Sequence, residues 1–279
     1  MRPFEPTYGI WETTKNIMVF IYDNLDVLWN IMAKLAPFII ALFAFDIGLK
    51  YFVLGKDMTS GEYKDIGIGG FITNYFYLAL AISWHRVIIQ GPDKFEFMNP
   101  LKPQEKDWAF MGMGILISFS IGLVIVLISL IALPILTVLF GHEVLLIGVF
   151  LIAALCIGIW ISTKFVFYFP AKATGSNLTL LESYKMTNGY TYRLIASWVI
   201  LICTGYLFIV IYALIIYGAY SGLKYIVADL MSMPLVLALL ELFFNLPFSL
   251  FLEPLISVIV VTAISNYYQH ALQNKGIPE

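Results

Sequence analysis

Charged residues are scarce in this sequence. They make up 12% of the 279 residues, whereas hydrophobic residues make up 61%. Soluble domains carry about 25% charged residues and roughly 45 to 50% apolar ones. Because so few charges cannot cover a water-exposed surface, the composition excludes an ordinary soluble protein. The mean hydropathy of +0.88 agrees with that exclusion.

Cysteine is scarce, and the sequence has no excess of basic charge. Cys156 and Cys203 lie inside apolar runs with no Cys or His at metal-ligand spacing, so we interpret both as small apolar side chains. A net charge of −2 argues against a nucleic-acid partner. The sequence also lacks a nucleophile elbow and a phosphate-binding glycine loop. We therefore predict a protein without enzymatic activity and without a cofactor.

What the sequence has instead is a series of long apolar runs. A helix needs roughly 20 apolar residues to cross a bilayer, and the runs of about that length predict six spans. We expect an all-helical, polytopic transmembrane bundle that forms one membrane domain over residues 1–279. The predicted spans cover residues 35–54, 66–89, 108–130, 144–167, 194–217 and 250–268.

Two further segments are predicted to lie at the membrane surface. Residues 8–34 place apolar side chains at helical spacing opposite Lys15 and Asp23, which is typical of an interfacial amphipathic helix. Residues 234–249 are apolar but contain a carboxylate and an amide side chain. We predict that this second segment is interfacial or re-entrant, and a seventh crossing is the alternative.

Basic residues are distributed unevenly between the predicted loops, and short cytoplasmic loops keep Lys and Arg. The third loop has none, while the first has three together with three acidic residues. We therefore predict that both termini are cytoplasmic. The second loop holds Arg86, Lys94, Lys102 and Lys106, and the fourth holds Lys164, Lys172, Lys185 and Arg193.

Four motifs carry a resemblance to a known family. They are the amphipathic segment followed by Pro37, the run Ser83-Trp84-His85-Arg86, the run Phe167-Tyr168-Phe169-Pro170-Ala171-Lys172-Ala173, and the run Leu180-Leu181-Glu182-Ser183-Tyr184-Lys185-Met186-Thr187-Asn188-Gly189. With them the chain resembles a group of uncharacterised bacterial six-span inner-membrane proteins. This group is loosely similar to the YciC-like proteins and to the membrane domain attached to some glycerophosphodiester phosphodiesterases. Tyr184, Lys185 and Lys172 depart from the family pattern. The resemblance implies six spans, a location in a bacterial inner membrane and no established reaction.

Three groups of residues are candidates for a site. The Trp-His-Arg run is predicted either to anchor its helix among lipid headgroups or to bind a lipid phosphate or small anion. Polar residues inside apolar runs are costly in lipid, so we expect them to pair, to face water or to line an ion path. One face of the helix at residues 180–188 either faces water or contacts a partner. The groups are Trp84, His85 and Arg86; Asp46, Asn74, Glu241, Asn245 and Glu253; and Glu182, Lys185 and Asn188.

The sequence leaves three functions open. The first is a non-enzymatic interaction or scaffold protein that contacts a membrane-protein partner, or a second copy of itself, through its cytoplasmic loops. The second is a small transporter or channel whose in-membrane polar residues share one cavity. The third is a protein that binds or moves membrane lipids beside the Trp-His-Arg run, in which case the loss of Arg86 should have the largest effect.

Overall fold

Most of the residues that the structure describes are helical. The structure is a computed structural model that describes residues 4–48, 68–140, 144–226 and 247–275, and no strand occurs within these ranges. The helical class predicted from the composition is therefore confirmed. The helices are α1 (Ile10–Asp23), α2 (Leu25–Gly48), α3 (Ile68–Gln90), α4 (Glu105–Phe140), α5 (Val144–Phe165), α6 (Tyr168–Ala173), α7 (Leu180–Thr187), α8 (Thr191–Ile226) and α9 (Glu253–Lys275), with a π-helical turn (Phe248–Leu252) directly before α9.

Three helical stretches within the described ranges are long and apolar enough to cross a membrane. They are Leu25–Phe45, Thr191–Ile216 and Phe248–Asn274, with 21, 26 and 27 residues. About 20 residues suffice for a crossing. The membrane class is therefore supported by the fold, whereas the count of six spans stays a prediction. Most of the surface segment predicted at residues 234–249 lies outside the described residues.

The surface helix predicted at residues 8–34 is divided at Asn24. The side-chain amide of Asn24 donates a 2.9 Å hydrogen bond to the backbone carbonyl of Phe20, and such local bonds compete with continued helix. Residues 25–34 consequently belong to the same helix as the first predicted span, which corrects the expectation of one surface helix. Pro37 lies inside α2 rather than at its start, because helices in apolar surroundings tolerate an interior proline.

The third predicted span also ends later than expected. Its predicted end is residue 130, ahead of Pro134, but α4 continues to Phe140 as one helix of 36 residues. At 1.5 Å per residue this helix is roughly 54 Å long, which exceeds the hydrocarbon core of about 30 Å. Both α8 and α9 likewise extend past their predicted ends at residues 217 and 268. A helix of 36 residues that crosses a membrane therefore carries residues beyond the apolar layer.

The hydrophobic core lies where α1, α2, α3 and α9 meet. Phe20, Leu80 and Val258 are buried together in this core. A second buried cluster, which includes Phe167 and Tyr267, joins the segment between α5 and α6 to α8 and α9. The C-terminal half of α3, which carries the Trp-His-Arg run, is therefore inside the protein.

By contrast, α4, α5 and α8 expose many large apolar side chains. Exposed apolar surface of this extent marks a face that meets lipid or another protein. Among the described residues, these side chains are Ile115, Leu116, Phe119, Leu123, Val126 and Leu130 on α4; Ile152, Ile157, Ile159 and Trp160 on α5; and Val199, Leu207, Val210, Ile211, Leu214 and Ile215 on α8.

Candidate functional site

Trp84 and His85 join α3 to α9 through buried hydrogen bonds. The indole Nε1 of Trp84 donates to Thr262 Oγ1 at 2.8 Å. The Nδ1 atom of His85 lies 2.7 Å from Ser265 Oγ. Both side chains are buried, so neither anchors its helix among lipid headgroups. The structure thus corrects the anchoring role that the sequence predicted for these two residues.

Arg86 is completely buried and pairs with protein groups. Its guanidinium forms an ion pair with the carboxylate of Asp107, in the first turn of α4. Its Nε donates a hydrogen bond to the backbone carbonyl of Ala173 at 2.6 Å, and its Nη1 donates one to the backbone carbonyl of Glu96 at 3.2 Å. The predicted contact between Arg86 and a lipid phosphate is therefore wrong, because the counter-charge comes from α4.

Asp107 also organises the start of α4. Its second carboxylate oxygen accepts a 2.8 Å hydrogen bond from the backbone N–H of Gln104, which satisfies a donor at the helix N-terminus. Beside it, Lys106 Nζ lies 2.5 Å from the carboxylate of Glu96. That hydrogen bond holds the pKa of Glu96 below its usual range, with further help from the Gln104 amide. The loop between α3 and α4 is thus tied to both helices.

The face of α7 that was predicted to meet a partner has contacts of its own. The carboxylate of Glu182 accepts hydrogen bonds of 2.7 Å from the backbone N–H and the hydroxyl of Thr179, which forms a capping box. Asn188 Oδ1 accepts a 2.9 Å hydrogen bond from Lys164. Leu181 and Lys185 are exposed, so part of this face is open to contact.

Of the five polar residues predicted inside the membrane, the structure describes the side chains of Asn74 and Glu253. Glu253 accepts a hydrogen bond from the hydroxyl of Tyr77, which also lies 2.9 Å from the carbonyl of Ser249. Asn74 lies on α3 at the wall of the groove described next. The side chain of Asp46, and Glu241 and Asn245 entirely, lie outside the described residues.

An apolar groove between α3 and α4, which we call the α3–α4 groove, lies beside the Trp-His-Arg run. Its volume is about 770 Å³, within the usual range of roughly 300 to 1,000 Å³ for ligand sites. Exposed side chains of Ile115 and Phe119 form part of its rim. The remaining described lining residues are Asn74, Leu78, Ala81, His85, Phe110, Met111, Gly114, Ile117, Ser118, Ser162, Val166, Phe169, Trp198, Val261 and Ile264.

The groove has few polar groups, and they are uncharged side chains. None of its described lining residues is Asp, Glu, Lys or Arg. Ser162 donates its hydroxyl proton to the carbonyl of Gly158 at 2.7 Å. Trp198 has a buried indole N–H with no hydrogen-bond partner among the described residues. His85 also lines the groove, and the Nδ1 atom of its ring is hydrogen-bonded to Ser265.

No protein-family model, no curated protein and no solved structure matches this chain. The resemblance inferred from the motifs therefore stays an expectation. The function has to be argued from the geometry of the groove.

Sequence reasoning found His85 and Asn74 but missed Trp198 and Asp107. Trp198 sits four residues into the fifth predicted span, where a tryptophan is ordinary interfacial sequence. Asp107 lies at the start of a helix, where an acidic residue is equally common. Neither residue carries a local signal of its long-range contact, so only the packing of α3, α4 and α8 reveals them.

Proposed function

We propose that this protein is a multi-pass membrane protein with six spans, with both termini in the cytoplasm of a bacterium. Six helices in the described ranges, α2, α3, α4, α5, α8 and α9, have 22 or more residues and overlap the six predicted segments. Trp108, Trp160 and Tyr192 are each at least half exposed and lie within four residues of a Lys or Arg. Exposed aromatic and basic side chains of this kind favour the interface between lipid and water.

The N-terminal segment supports placing both termini on one side. The backbone N–H of Thr7 donates to Asn266 Oδ1 at 2.8 Å, and the Asn266 amide donates to the Thr7 carbonyl at 2.8 Å. Tyr8 stacks on His270 with ring centroids 4.9 Å apart. Asn266 and His270 belong to the last turns of α9, so the N-terminal segment lies beside the C-terminal end of that helix.

We further propose that the protein binds a membrane lipid in the α3–α4 groove, without catalysing a reaction on it. The observation that carries this proposal is the groove itself, an apolar cleft of about 770 Å³ whose rim includes exposed Ile115 and Phe119. A cleft of that size in contact with lipid has to be filled by apolar chains. An acyl chain supplies the matching surface.

The dimensions of the groove fit one leaflet. Asn74 and His85 both line it and are eleven residues apart on α3, which corresponds to roughly 16 Å along the helix. That length is about half of a hydrocarbon core of about 30 Å. The end that holds His85 lies beside Phe110, near the interfacial Trp108. We therefore place the lipid head at the cytoplasmic end of the groove.

An interaction role at the cytoplasmic face is the second candidate function. Leu181 on α7 is 62% exposed, so an apolar side chain is available to a partner at this helix. Tyr184 and Tyr192 are exposed nearby in sequence. A protein partner that co-purifies in stoichiometric amount, and is lost on Leu181→Asp, would support this role.

The lipid proposal is tested by filling the groove. A Cβ atom at Gly114 would lie 3.6 Å from a ring carbon of Phe169, so the position accepts a side chain whose longer atoms enter the groove. We expect Gly114→Leu to lower the amount of lipid retained after purification in mild detergent severalfold, as measured by native mass spectrometry.

Gly112→Leu is the matched control. Gly112 lies on the same helix and does not line the groove, and a Cβ atom at this position would have no atom of a neighbouring helix within 4 Å. This variant should retain lipid as the unsubstituted protein does. Equal lipid in all three proteins would refute binding in the groove.

A further inference from the structure

We infer that Lys164 and Arg193 form a surface that binds the phosphate head groups of anionic phospholipids, which we call the Lys164–Arg193 surface. Neither residue is among the described lining of the α3–α4 groove, so this surface is a second lipid site. The inference rests on the proposed placement in a membrane and does not depend on lipid binding in the groove. The position of the two cations, the contacts that hold them and the absence of a paired acid carry it.

The two cations lie where the apolar parts of α5 and α8 stop. Lys164 is at the end of α5, and Arg193 is in the first turn of α8. Thr187, at the end of α7, is bonded to both helices. Its hydroxyl donates to the backbone carbonyl of Lys164 at 2.9 Å, and its backbone carbonyl accepts from the hydroxyl of Thr191 at 3.0 Å. The two helix ends are therefore held side by side, at the level where a crossing helix leaves the hydrocarbon and meets lipid phosphates.

Aromatic rings hold both cations in place. Lys164 Nζ lies 5.3 Å from the ring centre of Trp160 and 5.6 Å from that of Tyr184. The guanidinium carbon of Arg193 lies 3.5 Å from the ring centre of Tyr8. An aromatic ring attracts a cation but does not cancel its charge. Both positive charges are therefore oriented and still available to an anion.

Neither cation forms an ion pair with an Asp or Glu among the described residues. Lys164 donates one hydrogen bond, to Asn188 Oδ1 at 2.9 Å, and Arg193 donates one, from Nη1 to the backbone carbonyl of Tyr8 at 3.0 Å. A lysine ammonium has three donors and a guanidinium has five. Most of these donors thus have no partner in the described part of the chain. Both side chains are partly exposed, so a ligand can reach them.

Arg86 shows the opposite arrangement in the same molecule. It is completely buried, pairs with Asp107 and donates to two backbone carbonyls. Arg193 has neither the acid nor the burial, and a guanidinium with open donors binds phosphate in a bidentate manner. An anionic lipid brings the missing negative charge. A zwitterionic lipid also brings an ammonium group, which the two cations repel.

The test is a binding titration of the full chain in detergent micelles, measured by native mass spectrometry. The probes are dioleoyl phosphatidylglycerol and dioleoyl phosphatidylcholine. We expect phosphatidylglycerol to bind at least about fivefold more tightly, which corresponds to the usual contribution of one basic residue at an anionic surface. The double variant Lys164→Gln/Arg193→Gln should bring the ratio of the two affinities close to unity.

Lys106→Gln is the matched control. It also removes one positive charge, but Lys106 already pairs with Glu96, so the ratio should stay as in the unsubstituted protein. Gly114→Leu should leave the ratio unchanged as well, because it alters only the α3–α4 groove.

A ratio near unity in the unsubstituted protein would overturn the inference, and groove binding that still depends on Gly114 would then survive. A preference that the double variant retains would also overturn it. Loss of the preference in Gly114→Leu would place the anionic head in the groove instead. Displacement of phosphatidylglycerol by equimolar inorganic phosphate would assign the surface to a free anion. If the double variant does not fold, the ratio in the unsubstituted protein and its decrease with added salt decide the question.

Discussion

The end of the molecule that carries Arg86 and the apolar length of α4 and α8 are built differently. At the Arg86 end, the side chains of Trp84, Arg86 and Asn266 are completely buried, and each has hydrogen-bond partners. Along α4 and α8, large apolar side chains such as Ile115 and Leu214 are 63% and 66% exposed. Hydrogen bonds and an ion pair hold the first region together, whereas the second region exposes large apolar side chains.

This difference follows from the solvent that each region meets. Lipid chains are as apolar as Leu, so exposing an apolar side chain to lipid costs little and burying it gains little. A polar group in the same place is costly unless it is paired. Specific packing is therefore expected where polar side chains occur, which is the end that carries Arg86 and Asp107.

The largest effect is expected from breaking the buried ion pair between Arg86 and Asp107. Arg86→Met leaves the carboxylate of Asp107 buried without its counter-charge, which should lower the free energy of unfolding by about 3–5 kcal/mol. Lipid binding should fall only as far as the folded population falls. The measurement is denaturant unfolding in micelles, followed by tryptophan fluorescence.

Lys106→Met is the matched control for this variant. Lys106 pairs with Glu96, whose side chain is 45% exposed, and exposed pairs contribute at most about 1 kcal/mol. If the two variants lost similar amounts of unfolding free energy, the distinction between the buried ion pair and the solvent-exposed one would be contradicted.

A smaller and more local effect is expected at α7. Thr179→Ala removes the hydroxyl that both accepts from the Glu182 N–H and donates to the Glu182 carboxylate. We expect amide hydrogen exchange in α7 to become roughly fivefold faster, in line with the loss of an N-cap. Thr204→Ala is the control, because the Thr204 hydroxyl bonds only a carbonyl of its own helix among the described residues.

The same capping box predicts a dependence on pH. Hydrogen bonds from the backbone N–H and the hydroxyl of Thr179 lower the pKa of Glu182. Because its pKa is lower in the folded than in the unfolded state, the stabilisation is complete above the usual glutamate range and is lost as the pH falls through the lowered value. Protection of the α7 amides from hydrogen exchange should therefore decrease on acidification, and it should decrease less in Thr179→Ala than in the unsubstituted protein. The same pH dependence in both proteins would contradict the assignment.

The smallest effect is expected at the two cysteines, which test whether the exposed faces meet lipid. Cys156 and Cys203 are free and exposed on α5 and α8. If these helices cross the membrane, a charged maleimide should label neither thiol in sealed vesicles, because the reactive thiolate is disfavoured in apolar surroundings. Glu105 is exposed at the start of α4, and the proposed orientation predicts that Glu105→Cys is labelled in inside-out vesicles. Labelling of Cys203 in sealed vesicles would place α8 in water.

Residues 180–188 show how far local patterns reach. The residue pattern there predicts a helix, with Gly189 just past its end. The structure begins α7 at Leu180, ends it at Thr187 and gives Gly189 a φ of +93°, which glycine adopts without strain. The break at Asn24 and the continuation of α4 past Pro134 were not predicted. A local side-chain bond of Asn24 competes with continued helix, and an interior proline is tolerated in helices of apolar surroundings.

The composition and the spacing of apolar residues determined that the chain is helical and where most of its helices lie, because each helix closes its backbone hydrogen bonds locally. Tertiary structure alone decided the partners of the polar side chains. Arg86 meets Asp107 across 21 residues and the Ala173 carbonyl across 87, and Trp198 reaches the groove from α8. Such contacts depend on how helices pack against one another, and the period of a single helix carries no information about its neighbours.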